Sequence, residues 1–290
     1  AQILGYMGAI PEAWLSNYVK KGTDYEPDDR IGLAGIEYSM EDELKGVKGQ
    51  KHIEVDAFER EVAVIASEPP QPGHNLVLTI DLDLQQYVEQ ALREGMQKAH
   101  SQVGVAIVED PRTGEILSMV SLPTYDNNLF SGGISYEDYS KLLSDKNHPL
   151  LNHAISGQYP PGSTFKIVSA SGALQERVLT PSTLLYCGGI LYLPNRYFPD
   201  DPSMAQPFYC WRRAGHGSLN IVQAIAQSCD IFFYQAIGGF RDFKGLGFDK
   251  LAQYAHMYGY GEPSGIDLPG ESSGLIPSDR WKRQNYGEQW

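Results

Sequence analysis

Ser163-Thr164-Phe165-Lys166 sets a hydroxyl and an amine three residues apart. On a helix these are neighbours on one face, close enough for the amine to take the hydroxyl proton and turn a weak nucleophile into a strong one. A serine in the first helical turn also carries a backbone N–H that the helix leaves unpaired. With the helix dipole, it helps to hold a developing oxyanion, a contribution of about 3 kcal/mol per donor in serine enzymes. Lys166 works as a base when neutral, a state that burial against Phe165 and nearby cations favours. Ser228-Cys229-Asp230, 65 residues on, offers a second hydroxyl and a carboxylate at a break in a helical pattern. Each piece has an ordinary explanation by itself: Ser-x-x-Lys is a common spacing, and serine and aspartate cap helices. The three cysteines, Cys187, Cys210 and Cys229, fall within 43 residues, with His216 between the second and third. Spacing leaves two readings open. One is a closed set of three thiolates and an imidazole for tetrahedral zinc, more widely spaced than in zinc fingers. The other is a Cys187–Cys210 disulfide with Cys229 simply buried, as an oxidising compartment would favour.

The elements that must position these groups follow from punctuation and periodicity. Tyr159-Pro160-Pro161-Gly162 announces a helix over 163–174, since proline pre-sets φ at a helix start and glycine allows close backbone approach. A second helix is predicted over 220–227, broken at Ser228-Cys229-Asp230 and resumed over 231–237, where the aromatic side chains read as core. Between Thr180 and Gly217 the pattern is short extended pieces and turns. Upstream, Val103–Val108 and Glu115–Ser121 read as a hairpin about the turn Asp110-Pro111-Arg112-Thr113-Gly114. Leu76–Ile80 is strand-like, and Asp81 or Asp83 caps a helix bearing Leu84, Val88, Ala91 and Leu92 on one face. The proline cluster Glu68-Pro69-Pro70-Gln71-Pro72-Gly73 reads as a stiff linker, dividing the chain into 1–70 and 71–290.

Composition narrows the classes. With 290 residues, 42% apolar and 20% charged, the chain buries an ordinary core, which excludes disordered, collagen-like and disulfide-scaffold classes. The net charge of −13 makes nucleic acid a poor partner. That charge is uneven: residues 1–75 hold fourteen acidic against seven basic side chains, whereas residues 151–229 hold five basic against three acidic, which suits a small anionic substrate. No apolar run reaches the ~18 residues a membrane helix requires. The chain opens at Ala1 in mid-pattern and is read as a fragment, with any targeting segment upstream. His52, His153 and His256 have no chemical company and read as surface or packing residues.

Taken together and in this order, the motifs resemble those of class B penicillin-binding proteins. Gly35-Ile36-Glu37 with Glu43-Leu44-Lys45-Gly46 is similar to a run in that family's non-catalytic pedestal. Leu78-Thr79-Ile80-Asp81, the segment from Asp110 to Leu117, and the segment from Tyr159 to Lys166 look like the opening, first hairpin and nucleophile motif of its transpeptidase domain. Aspartate at Asp230, with Gly215-His216-Gly217, resembles the elongation-type subfamily, penicillin-binding protein 2. The resemblance implies an α/β fold of α+β type, with helices around an antiparallel sheet, preceded by a β-rich pedestal. It implies Ser163 as nucleophile, Lys166 as acylation base, and Ser228 and Asp230 as the proton-relay side of the cleft. It also moves Cys187, Cys210, His216 and Cys229 toward a structural Zn²⁺, with no organic cofactor. The implied activity is D,D-transpeptidation of peptidoglycan stem peptides ending in D-Ala-D-Ala, with covalent capture of β-lactams. The implied setting is the periplasmic face of the inner membrane, on a single N-terminal anchor, beside a SEDS-family glycosyltransferase and elongation-machinery scaffold proteins. A β-lactamase or β-lactam sensor shares the nucleophile motif without the pedestal, and a non-catalytic cell-wall scaffold is the other alternative. The family's third motif, Lys-(Ser/Thr)-Gly, occurs nowhere in the 290 residues and is expected beyond Trp290.

Overall fold

The computed structural model of the chain describes residues 1–14 and 25–287. Contacts gather these into two units, Ala1–Gln158 with Gly265–Ser272 and Tyr159–Ser264 with Ser273–Trp290. Every sheet among the described residues is an antiparallel pair of strands.

In the first unit, β1 (Met7–Ala9) pairs with β2 (Arg30–Gly32), and two short helices follow, α1 (Gly35–Ser39) and α2 (Glu41–Leu44). The ribbon of β3 (Gln50–Val55) and β4 (Glu61–Glu68) buries none of its residues. The long helix α3 (Leu82–Ala99) starts where Asp81 accepts from the Leu84 N–H at 2.9 Å, the cap expected of an aspartate there. The expected hairpin forms as β5 (Gly104–Glu109) and β6 (Ile116–Leu122), and Gly114 takes the left-handed φ of +79° that its turn requires. Leu76–Ile80 forms no ladder strand and bends at Thr79. It is tethered to β6 at Thr79 Oγ1, which donates to the Ile116 carbonyl at 2.6 Å, and at the Asp81 N–H, which donates to the Leu117 carbonyl at 2.9 Å. Gln85 on α3 reaches across to β6, accepting from Ser118 Oγ at 2.9 Å and from the Met119 N–H at 2.8 Å. Helices α4 (Tyr136–Ser144) and α5 (His153–Ser156) complete the unit, whose core includes Ile36, Met119 and Leu268. His153 is buried, as a packing histidine is, with Nε2 at 3.0 Å from the Asn147 carbonyl.

The second unit begins with a 3₁₀ turn, Gly162–Phe165, that runs into α6 (Lys166–Gln175). From the sequence a single α-helix is expected to start at Ser163. Two prolines remove backbone donors just ahead, and the chain enters through the tighter turn instead. β7 (Leu185–Cys187) pairs with the later β10 (Gly217–Leu219), while β8 (Ile190–Leu193) pairs with β9 (Gln206–Tyr209). A capping box between Asn220 and Gln223 starts α7 (Ile221–Ala226), followed by α8 (Asp230–Gly238), α9 (Phe248–Met257) and α10 (Asp279–Tyr286). α6 packs on both α8 and α9. Gly172 permits the second contact, since a Cβ there would sit 2.8 Å from Leu246 Cδ2 and 3.1 Å from the Tyr254 ring.

Around α8 gathers the main core, made of Ile231, Phe232, Phe233 and Ala236 with Ala173, Leu185, Leu191, Leu219, Ala224 and all three cysteines. Phe232 is fully enclosed at 1% exposure. Phe232→Ala is expected to destabilise the protein by about 3–5 kcal/mol through lost burial and an unfilled cavity, measured as a lowered urea midpoint.

Candidate active site

Three local rules build this site. The 3₁₀ turn has three residues per turn, so Ser163 and Lys166 lie one above the other rather than offset, and Gly162 supports the turn from a left-handed φ of +59°. Lys166 is the first residue of α6. The partner segment is the junction of α7 and α8. α7 ends in a Schellman motif, in which the Ser228 N–H donates to the Ile225 carbonyl at 3.0 Å and the Cys229 N–H donates to the Ala224 carbonyl at 2.9 Å. That motif needs a left-handed residue after the C-cap. Ser228 occupies it at φ +49°, where glycine is usual and a serine costs about 1 kcal/mol. Cys229 then serves as N-cap residue of α8.

Lys166 Nζ is the hub. It lies 2.5 Å from Asp230 Oδ1, 2.8 Å from the Ser228 carbonyl, 3.0 Å from Ser228 Oγ and 3.2 Å from Ser163 Oγ. Ser228 Oγ in turn donates to Ser163 Oγ at 2.9 Å. Four oxygens thus compete for the three non-carbon positions of the nitrogen, and Ser163 is the most distant. The four residues expected to act together do meet. Their surroundings differ from expectation in two respects: the group facing Lys166 is a carboxylate rather than a cation, and the ring beside it is Phe233, 5.9 Å from Nζ, rather than Phe165. Phe165 turns to Tyr260, with ring centroids 5.4 Å apart.

Burial pushes the Asp230 carboxyl up. The hydrogen bonds from Lys166 and the Trp211 N–H, with the Lys166 charge, outweigh it and hold the group below the ordinary aspartate value. In the sequence the only signal for Trp211 is its place directly after Cys210. Its backbone N–H donates to Asp230 Oδ2 at 2.9 Å, and its indole Nε1–H donates to the Gln227 carbonyl at 3.0 Å.

On the far side of the same turn, Cys187, Cys210, His216 and Cys229 bring their donor atoms within 4.8 Å of one another. All three cysteines are free and buried, so the Cys187–Cys210 disulfide is not formed. His216 Nδ1 lies 3.6 Å from Cys187 Sγ and 3.5 Å from Cys210 Sγ. Ligands bound tetrahedrally at about 2.0–2.3 Å stand roughly 3.5 Å apart, which the two His216 distances match, while the four donors together are gathered to within 4.8 Å. Buried thiols this close cannot all ionise unaided. Burial pushes Cys229 up to about 12, helped by the neighbouring Cys187 and Cys210, while at Cys210 backbone N–H groups outweigh burial and lower its value. His216 Nε2 is buried without a hydrogen-bond partner among the described residues, leaving Nδ1 as the atom aimed at the sulfurs.

The sequence matches the penicillin binding protein transpeptidase domain over residues 104–289 and the penicillin-binding protein dimerisation domain over residues 1–78. The chain belongs to the penicillin-binding protein transpeptidase family. It is 40% identical over 294 residues to the peptidoglycan D,D-transpeptidase MrdA of Salmonella typhimurium, covering all of this chain and 44% of that protein. It therefore spans less than half the length of this curated relative. Among solved structures it is similar to Helicobacter pylori PBP2 in complex with MreC, with a TM-score of 0.81 and 28% identity, covering all of this chain and 49% of that one. It is likewise similar to Pseudomonas aeruginosa PBP2 in complex with WCK 5153, with a TM-score of 0.74 and 32% identity, covering all of this chain and 55% of that one. The fold is accordingly that of the family, a transpeptidase domain of helices and antiparallel strands joined to a dimerisation domain.

Removing Lys166 takes away the charge and hydrogen bond that depress Asp230 while its burial remains. In Lys166→Ala the Asp230 pKa is therefore expected to rise, read from the carboxyl carbon by NMR titration. A depressed carboxyl stabilises the fold above its unfolded-state pKa and loses that contribution as pH falls through its folded value. The variant lacks that acid-labile contribution, so its stability should fall less than the parent's as pH drops through the carboxylate range.

Proposed function

We propose that the full-length protein containing this chain is a peptidoglycan D,D-transpeptidase of the elongation type and that Ser163 is its nucleophile. The observation that carries this reading is the hydrogen-bonded set of Ser163, Lys166, Ser228 and Asp230 around one amine. In the reacting form Lys166 has released its own proton and is a neutral amine, and Ser163 Oγ bonds to the carbonyl carbon of the D-Ala-D-Ala amide as Lys166 takes the serine proton. Asp230 and the Ser228 carbonyl hold the ammonium that forms, much as a buried carboxylate stabilises the imidazolium of a serine protease. The amide C–N bond breaks, and the amine of the terminal D-Ala leaves with the proton. An amine of a neighbouring stem peptide then attacks the ester, its proton returns to Ser163 through Lys166, and the cross-link is released. A β-lactam would stop at the first step. The dimerisation-domain match over residues 1–78 favours this reading over a β-lactamase, and the intact hydrogen-bonded set favours it over an inert scaffold.

Residues 1–70 are then the C-terminal part of the pedestal domain and 71–290 the N-terminal part of the transpeptidase domain. The remainder of that domain would bring the Lys-(Ser/Thr)-Gly strand. The MreC complex of the H. pylori relative supports an elongation scaffold as partner, with a SEDS-family glycosyltransferase beside it. The working place is the periplasmic face of the inner membrane on an N-terminal anchor. No helix among the described residues is long and apolar enough to cross a membrane. Cys187, Cys210, His216 and Cys229 would hold a structural Zn²⁺. Four protein ligands leave it no open position for water, so it would fix the turn bearing Ser228 and Asp230 without joining the chemistry.

Penicillin should add once to the full-length protein by intact mass, and Ser163→Ala should abolish the adduct. Lys166→Arg keeps the charge but supplies no free base, and should slow acylation by about 10²–10⁴-fold; an unchanged rate would assign the proton to another group. Purified protein should carry one zinc by elemental analysis. Cys210→Ser or His216→Ala should lose it and lower both melting temperature and acylation rate, whereas zinc-free protein with Cys187 linked to Cys210 would favour the disulfide.

A further inference from the structure

The turn from Gln227 to Asp230 carries a serine and a carboxylate, and both of its ends bond to one residue outside it. The C-cap carbonyl of Gln227 is one of the last α7 acceptors, for which a helix has no donor of its own. Trp211 supplies one, its indole N–H at 3.0 Å. At the other end of the turn, Asp230 divides its two oxygens, Oδ1 to Lys166 at 2.5 Å and Oδ2 to the Trp211 backbone N–H at 2.9 Å. Between these two anchors sits Ser228, held at a left-handed φ of +49°. Trp211 is itself fixed from behind. It follows the buried Cys210, and its ring stands edge-on to His216 with centroids 5.5 Å apart. Trp211 is 64% exposed as a residue, so core packing does not account for it. An indole N–H is a donor only, and its one bond here goes to the residue that precedes Ser228.

We propose that Trp211 is a positioning residue, clamping the Gln227–Asp230 turn so that Ser228 Oγ and Asp230 Oδ1 stay in register with Lys166. The inference rests on the reading of Ser163 as the acylated nucleophile. Trp211 touches none of the reacting atoms and acts through Gln227 and Asp230. Loss of the indole bond lets the turn relax away from its strained serine, which separates Ser228 Oγ from Ser163 Oγ and slows bond formation. Recognition of the substrate by the rest of the cleft is left intact.

The test uses the full-length protein and a penicillin, with the first-order acylation constant separated from the dissociation constant of the non-covalent complex by stopped flow. Two replacements remove the N–H while retaining an aromatic ring: Trp211→Phe, and the benzothiophene isostere of tryptophan at position 211, which preserves its shape if phenylalanine packs poorly. The expected result is an acylation constant lowered roughly tenfold in both, with the dissociation constant, bound zinc and melting temperature unchanged. Unchanged acylation in both would overturn the proposal. So would a loss accompanied by released zinc or a lowered melting temperature, since the effect would then pass through general stability. Failure of the unsubstituted protein to acylate at Ser163 would overturn the functional reading and this inference with it, and is thereby distinguished from failure of the Trp211 clamp alone.

Discussion

A cation drawn out of water must be matched by oxygens, and in the second unit that requirement falls on Lys166. Its side chain is only 13% exposed, and its partner carboxylate on Asp230 23%. Exposed ion pairs contribute little because water competes for both members, whereas one this enclosed demands that both charges be fully hydrogen-bonded. Three of the four oxygens around Nζ come from the short stretch Ser228–Asp230, and the fourth is Ser163. The requirement for matched charge therefore becomes a requirement on backbone shape, since the turn between α7 and α8 must offer a carbonyl, a hydroxyl and a carboxylate to one point.

That shape is uncommon for its residues. A Schellman motif ordinarily takes glycine where Ser228 stands, and the serine that bears the left-handed conformation here accepts a hydrogen bond from Lys166 on its hydroxyl. Hydrogen bonds to Ile225 and Ala224 close the motif from within. Burial closes it from outside: Cys229, at 0% exposure, turns into the core while its two neighbours turn toward Lys166. A single residue step thus separates the polar site from the apolar core, and the packing of Phe232, Ala224 and the cysteines bears directly on the geometry of the polar groups.

The thiol cluster carries a tension of its own. Three sulfurs and an imidazole lie closer than buried groups tolerate if more than one is charged, and the raised Cys229 value expresses this, while backbone N–H groups lower that of Cys210. A bound dication would reverse that balance, because each thiolate then meets positive charge instead of its neighbours' negative charge. The cluster and the ion pair share the 229–230 peptide, so stiffening either one stiffens the other.

Local signals in the chain were strong where they rest on nearest neighbours. The proline-glycine start before Ser163, the Asp81 cap, the hairpin about Gly114 and the break at Ser228-Cys229-Asp230 all appear within a residue or two of where the sequence puts them, because turn and cap chemistry depends on only a few adjacent side chains. Residue types and spacing offered Ser163, Lys166, Ser228 and Asp230 only as candidates and left the cysteines between a set with His216 and a disulfide; the resemblance to the family favoured the first reading of each. Leu76–Ile80 shows the limit: its composition is that of a strand, but ladder pairing depends on a partner that composition does not specify. The ring beside Lys166, the carboxylate in place of a cation, the choice of free thiols over a disulfide, and the two bonds of Trp211 were decided only by tertiary structure. Each joins atoms from 16 to 67 residues apart. Over such separations loop closure and core packing, rather than local propensity, determine which side chains meet.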